Sequence, residues 1–330
     1  MTPIRKLTGN LEEKYLSMNH EVEQLHEMLV GKMNNYIIAD PTPNVFYGPA
    51  VMFDEKRQII VSESYLNYIW SSIYFIFVFH EEASAELLKN PSKDFLDMNA
   101  TPLRKEAMKL FTYFKQIAKN RCYIKWPNDT ISPLFNGCPK NDIEDFALKV
   151  NGLYSTGMAT LFFHELGHIY LNHEEEAKLQ EELKEKLEYE RRTNPKFELN
   201  QDDVAPIISA ETAADNFAFD LVLRDYDSSE VKLNNSIAVL SVYLALLLSS
   251  YTLKGLKQIF HPNLHERILR IIQRIEQMHI KESGYFSHMA IHILVFLLSQ
   301  SGITLESYDA QDKPYDYLLM LMEKIDENIL

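Results

Sequence analysis

The chain has 330 residues, of which 46% are hydrophobic and 24% charged, a balance typical of a globular protein with a large core. The formal net charge of -14 would repel a phosphate backbone and no basic stripe offsets it, so we expect no nucleic-acid partner. The two cysteines exclude a disulfide framework, and the ten glycines argue against a glycine-rich phosphate-binding loop.

The same composition bears on cellular location. Residues 1–7 carry two basic side chains, and because no apolar run follows them we expect no secretory signal. The scarcity of cysteine suits a reducing compartment, so the prediction is a cytoplasmic protein. Two uncharged stretches, 233–253 and 284–305, have about the length of a membrane-spanning helix. Polar side chains interrupt both, which favours buried helices and leaves membrane association as an open alternative.

The first part of the chain predicts one helix and a β-hairpin. Residues 11–34 space their apolar side chains three and four apart, as an amphipathic helix does. Two short apolar runs, 49–53 and 58–62, flank a polar connector and predict the hairpin. From residue 64 onward the pattern is helical nearly throughout. We therefore expect a mainly α protein (α+β) forming one domain, with an N-terminal part over 1–63 and a helical core over 64–330.

Prolines and one highly charged segment divide the helical part. The segment 174–205 is dense in Glu, Lys and Arg, with Leu179, Leu183 and Leu187 at every fourth position. It predicts an exposed charged helix inserted between two core helices, and a regulatory or partner-docking role is the alternative. The predicted helix breaks are at Pro91, Pro102, 126–139, Pro195, Pro206 and Pro262.

An HExxH motif provides the first chemical signal. His164 and His168 are four residues apart, so on a helix both imidazoles lie on one face and can reach one Zn²⁺. Glu165 lies beside them and can take a proton from water without binding the metal. The motif predicts a catalytic zinc site, and the alternative is a pair of hydrogen-bonded histidines on a packed helix.

A catalytic zinc needs a third protein ligand. The extended motif HExxHxxGxxH is absent, because Leu171 and Glu174 occupy its last two defined positions. Glu211 is the better third ligand, and Asp215, four residues later on the same helical face, is expected to orient a metal-bound histidine, His164. Alanines around these acids leave room for their helix to approach the HExxH helix closely.

A third element begins at His261, where Pro262 can open a new helix that carries Arg267 in its second turn. The oxyanion formed when water attacks a carbonyl needs a hydrogen-bond donor besides the metal. His261 or Arg267 can be that donor, or Arg267 can pair with a carboxylate of the site. An ordinary capping turn is the alternative.

The order HExxH, ExxAD and HPxxxER resembles that of gluzincin metallopeptidases, in particular the group that includes the membrane prenyl-protein peptidases and their bacterial relatives. This resemblance implies a helical gluzincin-like core. It also implies zinc held by His164, His168 and Glu211, with His261 and Arg267 near the substrate.

The chain is more similar still to the Lit peptidase family of bacterial phage-exclusion proteins. That resemblance covers the aromatic run 65–79, the HExxH helix as far as His173, and the two later motifs, which is under half of the chain. It implies cleavage of a protein substrate, the translation factor elongation factor Tu, triggered by phage infection with a phage peptide as activator. The charged segment 174–205 departs from the family pattern.

These observations together predict a cytoplasmic zinc endopeptidase with Glu165 as general base. The hairpin over 51–62 is expected to offer an edge strand along which an extended substrate lies. One alternative is a membrane-associated peptidase of the same type. The other is a non-catalytic metal-binding sensor or interaction protein, in which His173 or Glu174 would complete a closed structural site.

Overall fold

The computed structural model describes residues 4–8, 36–39, 46–52, 58–82, 101–134, 138–224, 228–250, 253–278, 283–305 and 313–329. The helix predicted over 11–34 and the break predicted at Pro91 lie outside the described residues.

Helices account for most of the described chain, as predicted. The strands are β1 (Tyr36–Ala39), β2 (Ala50–Met52) and β3 (Gln58–Ser62). The helices are α1 (Glu63–Glu82), α2 (Pro102–Asn120), α3 (Asp142–Tyr170), α4 (Glu174–Arg191), α5 (Gln201–Val222), α6 (Ser229–Ser249), α7 (Leu264–Gln277), α8 (Ser283–Gln300) and α9 (Pro314–Ile329), with a 3₁₀ turn at Leu253–Leu256 between α6 and α7. The mainly α prediction with a small N-terminal β element is confirmed.

The three strands form one sheet in the order β1-β3-β2. β2 and β3 are antiparallel, with Val51 opposite Ile59, which confirms the predicted hairpin. β1 runs parallel to β3, with Ile38 opposite Val61. A parallel pair needs a long connection between its strands, so the hairpin pattern could not reveal this third strand. Within the described sheet, β2 is left as an edge.

Helix α1 forms the centre of the core. All of its residues from Glu63 to Phe79 are buried, and it packs against α2, α3 and α6. Two of its large polar aromatics find partners inside the protein: the Trp70 indole donates to the Asn151 side chain at 2.7 Å, and the Tyr68 hydroxyl to the Ala245 carbonyl at 2.7 Å. A helix that is apolar on every face is stable only when other helices surround it.

Helix α3 carries the HExxH motif at its C-terminal end. The Asn141 side chain caps its start by accepting the N–H of Glu144 at 3.0 Å. It ends where Asn172 adopts a left-handed conformation, with φ of 60°. A Cβ at Gly167 would lie 3.1 Å from a ring carbon of Phe217 and 3.2 Å from the Cα of Ala214. Small residues thus bring α3 and α5 into close contact, as the alanine pattern predicted.

The charged segment 174–205 forms α4 and, after a connection, the first residues of α5, the helix on which α4 mainly packs. Leu183 joins Val204, Ile207 and Phe260 in a small apolar cluster that is separate from the main core. The helix break predicted at Pro206 is wrong, because Pro206 lies inside α5. The carbonyl that would have accepted its missing N–H belongs to Asp202, which is exposed and can bind water instead.

In the part of the chain that the structure describes, one segment, Ser229–Leu248, is long and apolar enough to cross a membrane. This segment belongs to α6, and 61% of its most apolar window is buried inside the protein. A core helix of a soluble protein has the same length and composition, so the finding is weak evidence for membrane insertion.

Candidate metal centre

The motifs that the sequence singled out converge at one place in the fold. The HExxH residues come from the end of α3, and Glu211 and Asp215 from the adjoining face of α5. His261 lies in the loop before α7, and Arg267 on the first turns of that helix. Segments separated by about fifty residues in the chain therefore meet through the close α3–α5 contact at Gly167.

Three potential ligand side chains face one another. His164 Nε2 lies 3.2 Å from His168 Nε2 and 3.2 Å from Glu211 Oε2, and His168 Nε2 lies 3.5 Å from Glu211 Oε1. Ligands of a tetrahedral zinc with bonds of 2.0–2.1 Å lie about 3.3 Å from one another. Within the described residues, these three side chains form the group whose geometry suits a metal ion.

The chemistry of this group also fits zinc. Glu211 is 6% exposed, and its Oε2 is a buried atom with no hydrogen-bond partner among the described residues. Such an oxygen is costly to bury unless a cation or a donor meets it. Two imidazole nitrogens and one carboxylate oxygen are a ligand set of catalytic zinc sites, where a fourth position stays open.

Asp215 lies behind the ligands and holds His164 in place. Its Oδ1 accepts from His164 Nδ1 at 3.0 Å and from the Tyr243 hydroxyl at 2.9 Å. Arg267 donates to both of its oxygens, through Nε at 2.8 Å and a terminal nitrogen at 2.5 Å. With Nδ1–H committed to Asp215, the Nε2 lone pair of His164 faces the metal position, which is the arrangement expected of an orienting carboxylate.

The charges around Asp215 are mutually stabilising. Burial by itself would raise the pKa of Asp215, but Arg267 and His164 outweigh it and hold that pKa well below its usual range. Burial would likewise lower the pKa of His164, but Asp215 and Glu211 raise it to about 10. Without a metal, His164 therefore keeps a proton that a bound cation would displace.

Glu165 lines the same cavity, and a backbone N–H of the sheet binds its carboxylate. The backbone N–H of Val51 donates to its Oε2 at 2.9 Å, so one carboxylate oxygen is fixed by the edge strand β2. Burial raises the pKa of Glu165, and the neighbouring histidines lower it in part. A carboxylate with a raised pKa is a better proton acceptor near neutral pH than an exposed one.

The structure distinguishes the roles that the sequence left open for His261 and Arg267. His261 lines the cavity, with 38% of its side chain exposed, and its Nε2 lies 3.4 Å from Glu211 Oε2. Arg267 is buried against Asp215 and does not line the cavity. Arg267 therefore takes the pairing with a site carboxylate, and His261 is the one of the two that faces the cavity.

Two contacts of the site were not predicted from the sequence. His173, which follows the left-handed Asn172, places Nδ1 at 3.0 Å from Nδ1 of His168, on the side away from the metal position. Tyr243, on α6, binds Asp215 through its hydroxyl. The guanidinium carbon of Arg267 also lies over the Tyr243 ring, 4.8 Å from the ring centre. A histidine close after an HExxH helix was a visible signal, but an isolated tyrosine in an apolar run carried none.

The metal cleft is the cavity above the three ligands, with a volume of about 810 Å³. The end of α3 forms its floor, and β2 and α4 form two of its walls. Its lining comprises Pro49, Ala50, Val51, His164, Glu165, His168, His173, Ile207, Ala210, Glu211, His261 and the inward side of α4 from Glu174 to Lys184. A cavity of this size holds several residues of an extended peptide.

A family model described as Peptidase U49 matches residues 59–290. The chain belongs to the Peptidase U49 family. The matched region includes all three potential ligands together with Glu165, Asp215, His261 and Arg267. Comparisons with curated proteins and with solved structures find no match. Membership of a peptidase family assigns this U49 protein a hydrolytic function on a protein or peptide substrate.

Proposed function

We propose that this U49 peptidase is a zinc-dependent endopeptidase with a gluzincin-type centre, in which His164, His168 and Glu211 hold the metal. The convergence of the three side chains, with the imidazole Nε2 atoms 3.2 and 3.5 Å from the two oxygens of Glu211, carries the proposal. The open cleft above them supports a catalytic rather than a closed structural site, because no fourth His, Cys, Asp or Glu joins the group among the described residues.

The residues around the cleft supply the remaining chemistry. Bound zinc would provide a Lewis acid that polarises the scissile carbonyl. Glu165 accepts the proton of the attacking water and passes it to the leaving amine, with Oε2 anchored by the Val51 N–H. His261 donates from Nε2 to the oxygen that becomes negative. Asp215 orients His164 and is itself bound by Arg267 and Tyr243. None of these three side chains touches the substrate.

An extended substrate is proposed to lie along β2. This strand is one edge of the described sheet. Its residues Ala50 and Val51 line the cleft together with Pro49. Edge strands bind extended chains by continuing the sheet. Because Glu165 already occupies the outward N–H of Val51, the strand meets a substrate with its remaining carbonyl groups and side chains.

The target and setting are proposed from resemblance. The order HExxH, ExxAD, HPxxxER is that of the Lit phage-exclusion peptidases, so we propose a cytoplasmic role in phage defence. Elongation factor Tu is the substrate that the resemblance suggests, and a phage peptide is the activator. Soluble recovery of the protein after cell lysis without detergent would support the cytoplasmic location, and sedimentation with membranes would contradict it.

Metal analysis tests the centre directly. Untagged protein purified without chelators is expected to contain about one zinc per chain, and Glu211→Ala to lose it. Zinc retained by this variant would mean that another residue is the third ligand. Wild-type protein that neither contains zinc nor takes it up on addition would contradict the proposed function.

Turnover tests the general base. Glu165→Gln is expected to keep zinc and to lower cleavage of elongation factor Tu, assayed with the phage peptide present, by about 100-fold or more. Glu175→Gln makes the same chemical change at an exposed position outside the cleft and should leave the rate unaltered. Unchanged turnover by Glu165→Gln would remove its assigned role.

A further inference from the structure

We propose that α4 is a specificity wall of the metal cleft and that the substrate carries a lysine or arginine side chain facing it. The inference rests on the proposed function, because it needs a metal in the cleft and an extended chain beside it. The charged segment, for which the sequence suggested an exposed face or a docking role, thereby takes part in substrate selection.

The position of α4 is the first observation. Residues of α4 between Glu174 and Lys184 line the same cleft as the metal ligands on α3 and α5. Leu183 and Leu187 are buried, and Leu183 packs on Ile207, so the rotation of α4 about its axis is set by apolar contacts. The backbone positions from which the charged side chains beside the cleft extend are therefore defined.

The balance of charge is the second observation. α4 contains eight glutamates against three lysines and one arginine. Lys178 pairs with Glu174 at 2.8 Å and Lys184 with Glu181 at 2.8 Å, which neutralises two of the cleft glutamates. Glu176 and Glu182 also line the cleft, and no described residue forms an ion pair with either. The wall therefore has an excess of negative charge.

The β2 side of the cleft leaves the negative charge of the α4 side unbalanced. Pro49, Ala50 and Val51 of the β2 side carry no charge. Successive side chains of an extended peptide point in opposite directions, so a chain lying on β2 directs alternate side chains toward other surfaces of the cleft. A cationic side chain directed at α4 is attracted by Glu176 and Glu182, whereas an acidic one is repelled.

Independently of α4, the buried Glu211 Oε2 indicates that a ligand, the proposed metal ion, occupies this cavity. It has no hydrogen-bond partner among the described residues and faces the same space as the α4 glutamates. A substrate bound at this metal lies in the cleft that both β2 and α4 line. The selectivity therefore needs no separate binding site on α4.

Matched inhibitors test the proposal without a known substrate. Tripeptide hydroxamates bind the catalytic metal and so seat their side chains in the cleft. One set carries Lys, norleucine or Glu at each of two adjacent positions, and calorimetry measures its binding to zinc-loaded full-length protein. At one of the positions, Lys is expected to bind about three- to tenfold more tightly than Glu at low salt, with the difference shrinking at high salt.

Two double variants localise the effect. Glu176→Gln with Glu182→Gln should abolish the preference for Lys, whereas Glu185→Gln with Glu188→Gln, the same change further along α4 and outside the lining of the metal cleft, should preserve it. Three results would contradict the proposed role of α4. They are equal binding of all probes, failure of every probe to bind zinc-loaded protein, and a preference for Lys that is unchanged in the first variant. Absence of zinc from the wild type would instead overturn the proposed function, and the inference with it.

Discussion

The α3–α5 contact and helix α4 border the same cleft but are stabilised in opposite ways. The first places Asp215, Arg267 and His164 in the interior, each with hydrogen-bonded partners. The second carries its charges on the surface as pairs such as Lys178–Glu174. Buried charges hold one geometry because losing a partner is costly, whereas surface pairs contribute little to stability. The comparison suggests that buried contacts fix the geometry of the metal site, whereas surface side chains of α4 set the selectivity and can change without disturbing the core.

Removing one partner from each kind of ion pair should give the largest contrast. Arg267→Met leaves Asp215 and Tyr243 without their cation and should lower the free energy of unfolding by about 3–5 kcal/mol. Arg274→Met removes a half-exposed pair with Asp220 and should cost under about 1 kcal/mol. Urea denaturation measures both, and similar losses would break the comparison.

Truncation of the α4 anchor should affect stability locally. Leu183→Ala removes the α4 side chain that packs on Val204, Ile207 and Phe260, at a cost of about 2–3 kcal/mol. Because this cluster is separate from the main core, amide exchange should accelerate in α4 and remain slow in α3. Equal acceleration in both helices would show that α4 does not open by itself.

A second histidine pair offers a contrast with the metal histidines. His80 and His292 lie with their Nδ1 atoms 2.8 Å apart. Burial, reinforced by neighbouring histidines including His288, lowers the pKa of His80 to about 4 and that of His292 to about 2. Carboxylates raise the pKa of His164, so His164 and the His80–His292 pair are expected to respond to acid in opposite directions.

The expected pH dependence follows from these shifts. The unfolded pKa of histidine is about 6.5, so the neutral His80–His292 pair contributes its stability above that pH and loses it as the pH falls toward 4. Between pH 7 and 5.5 the two groups together should cost about 2 kcal/mol of unfolding free energy. Denaturation midpoints of wild type and His292→Leu should converge at low pH; a parallel decline would refute the assignment.

The smallest effect is expected at His173. Replacement by leucine removes the acceptor for the Nδ1–H of His168 and should weaken zinc binding about tenfold, because outer hydrogen bonds orient metal ligands. His173→Asn keeps a hydrogen-bonding group and should recover part of the affinity. Competition with a chromogenic chelator measures both, and unchanged affinity in His173→Leu would make the contact incidental.

Much of the candidate site could be predicted because its spacings are local. His164 and His168, like Glu211 and Asp215, lie four residues apart, and helix geometry alone places such residues on one face. The hairpin and the amphipathic α4 followed from equally local patterns. Pro206 was misjudged because a proline near the start of a helix leaves only an exposed carbonyl without its donor.

The sequence by itself thus determined the helical class, the hairpin and the residues able to hold a metal. Only the tertiary structure decided which groups support them: the Val51 N–H on Glu165, His173 behind His168, Tyr243 on Asp215 and α4 beside the cleft. Val51 and Glu165 are 114 residues apart in the chain, and their contact depends on how a sheet edge packs against a helix end. Packing of distant segments is a property of the whole core, whereas spacing within one helix is a property of the local backbone.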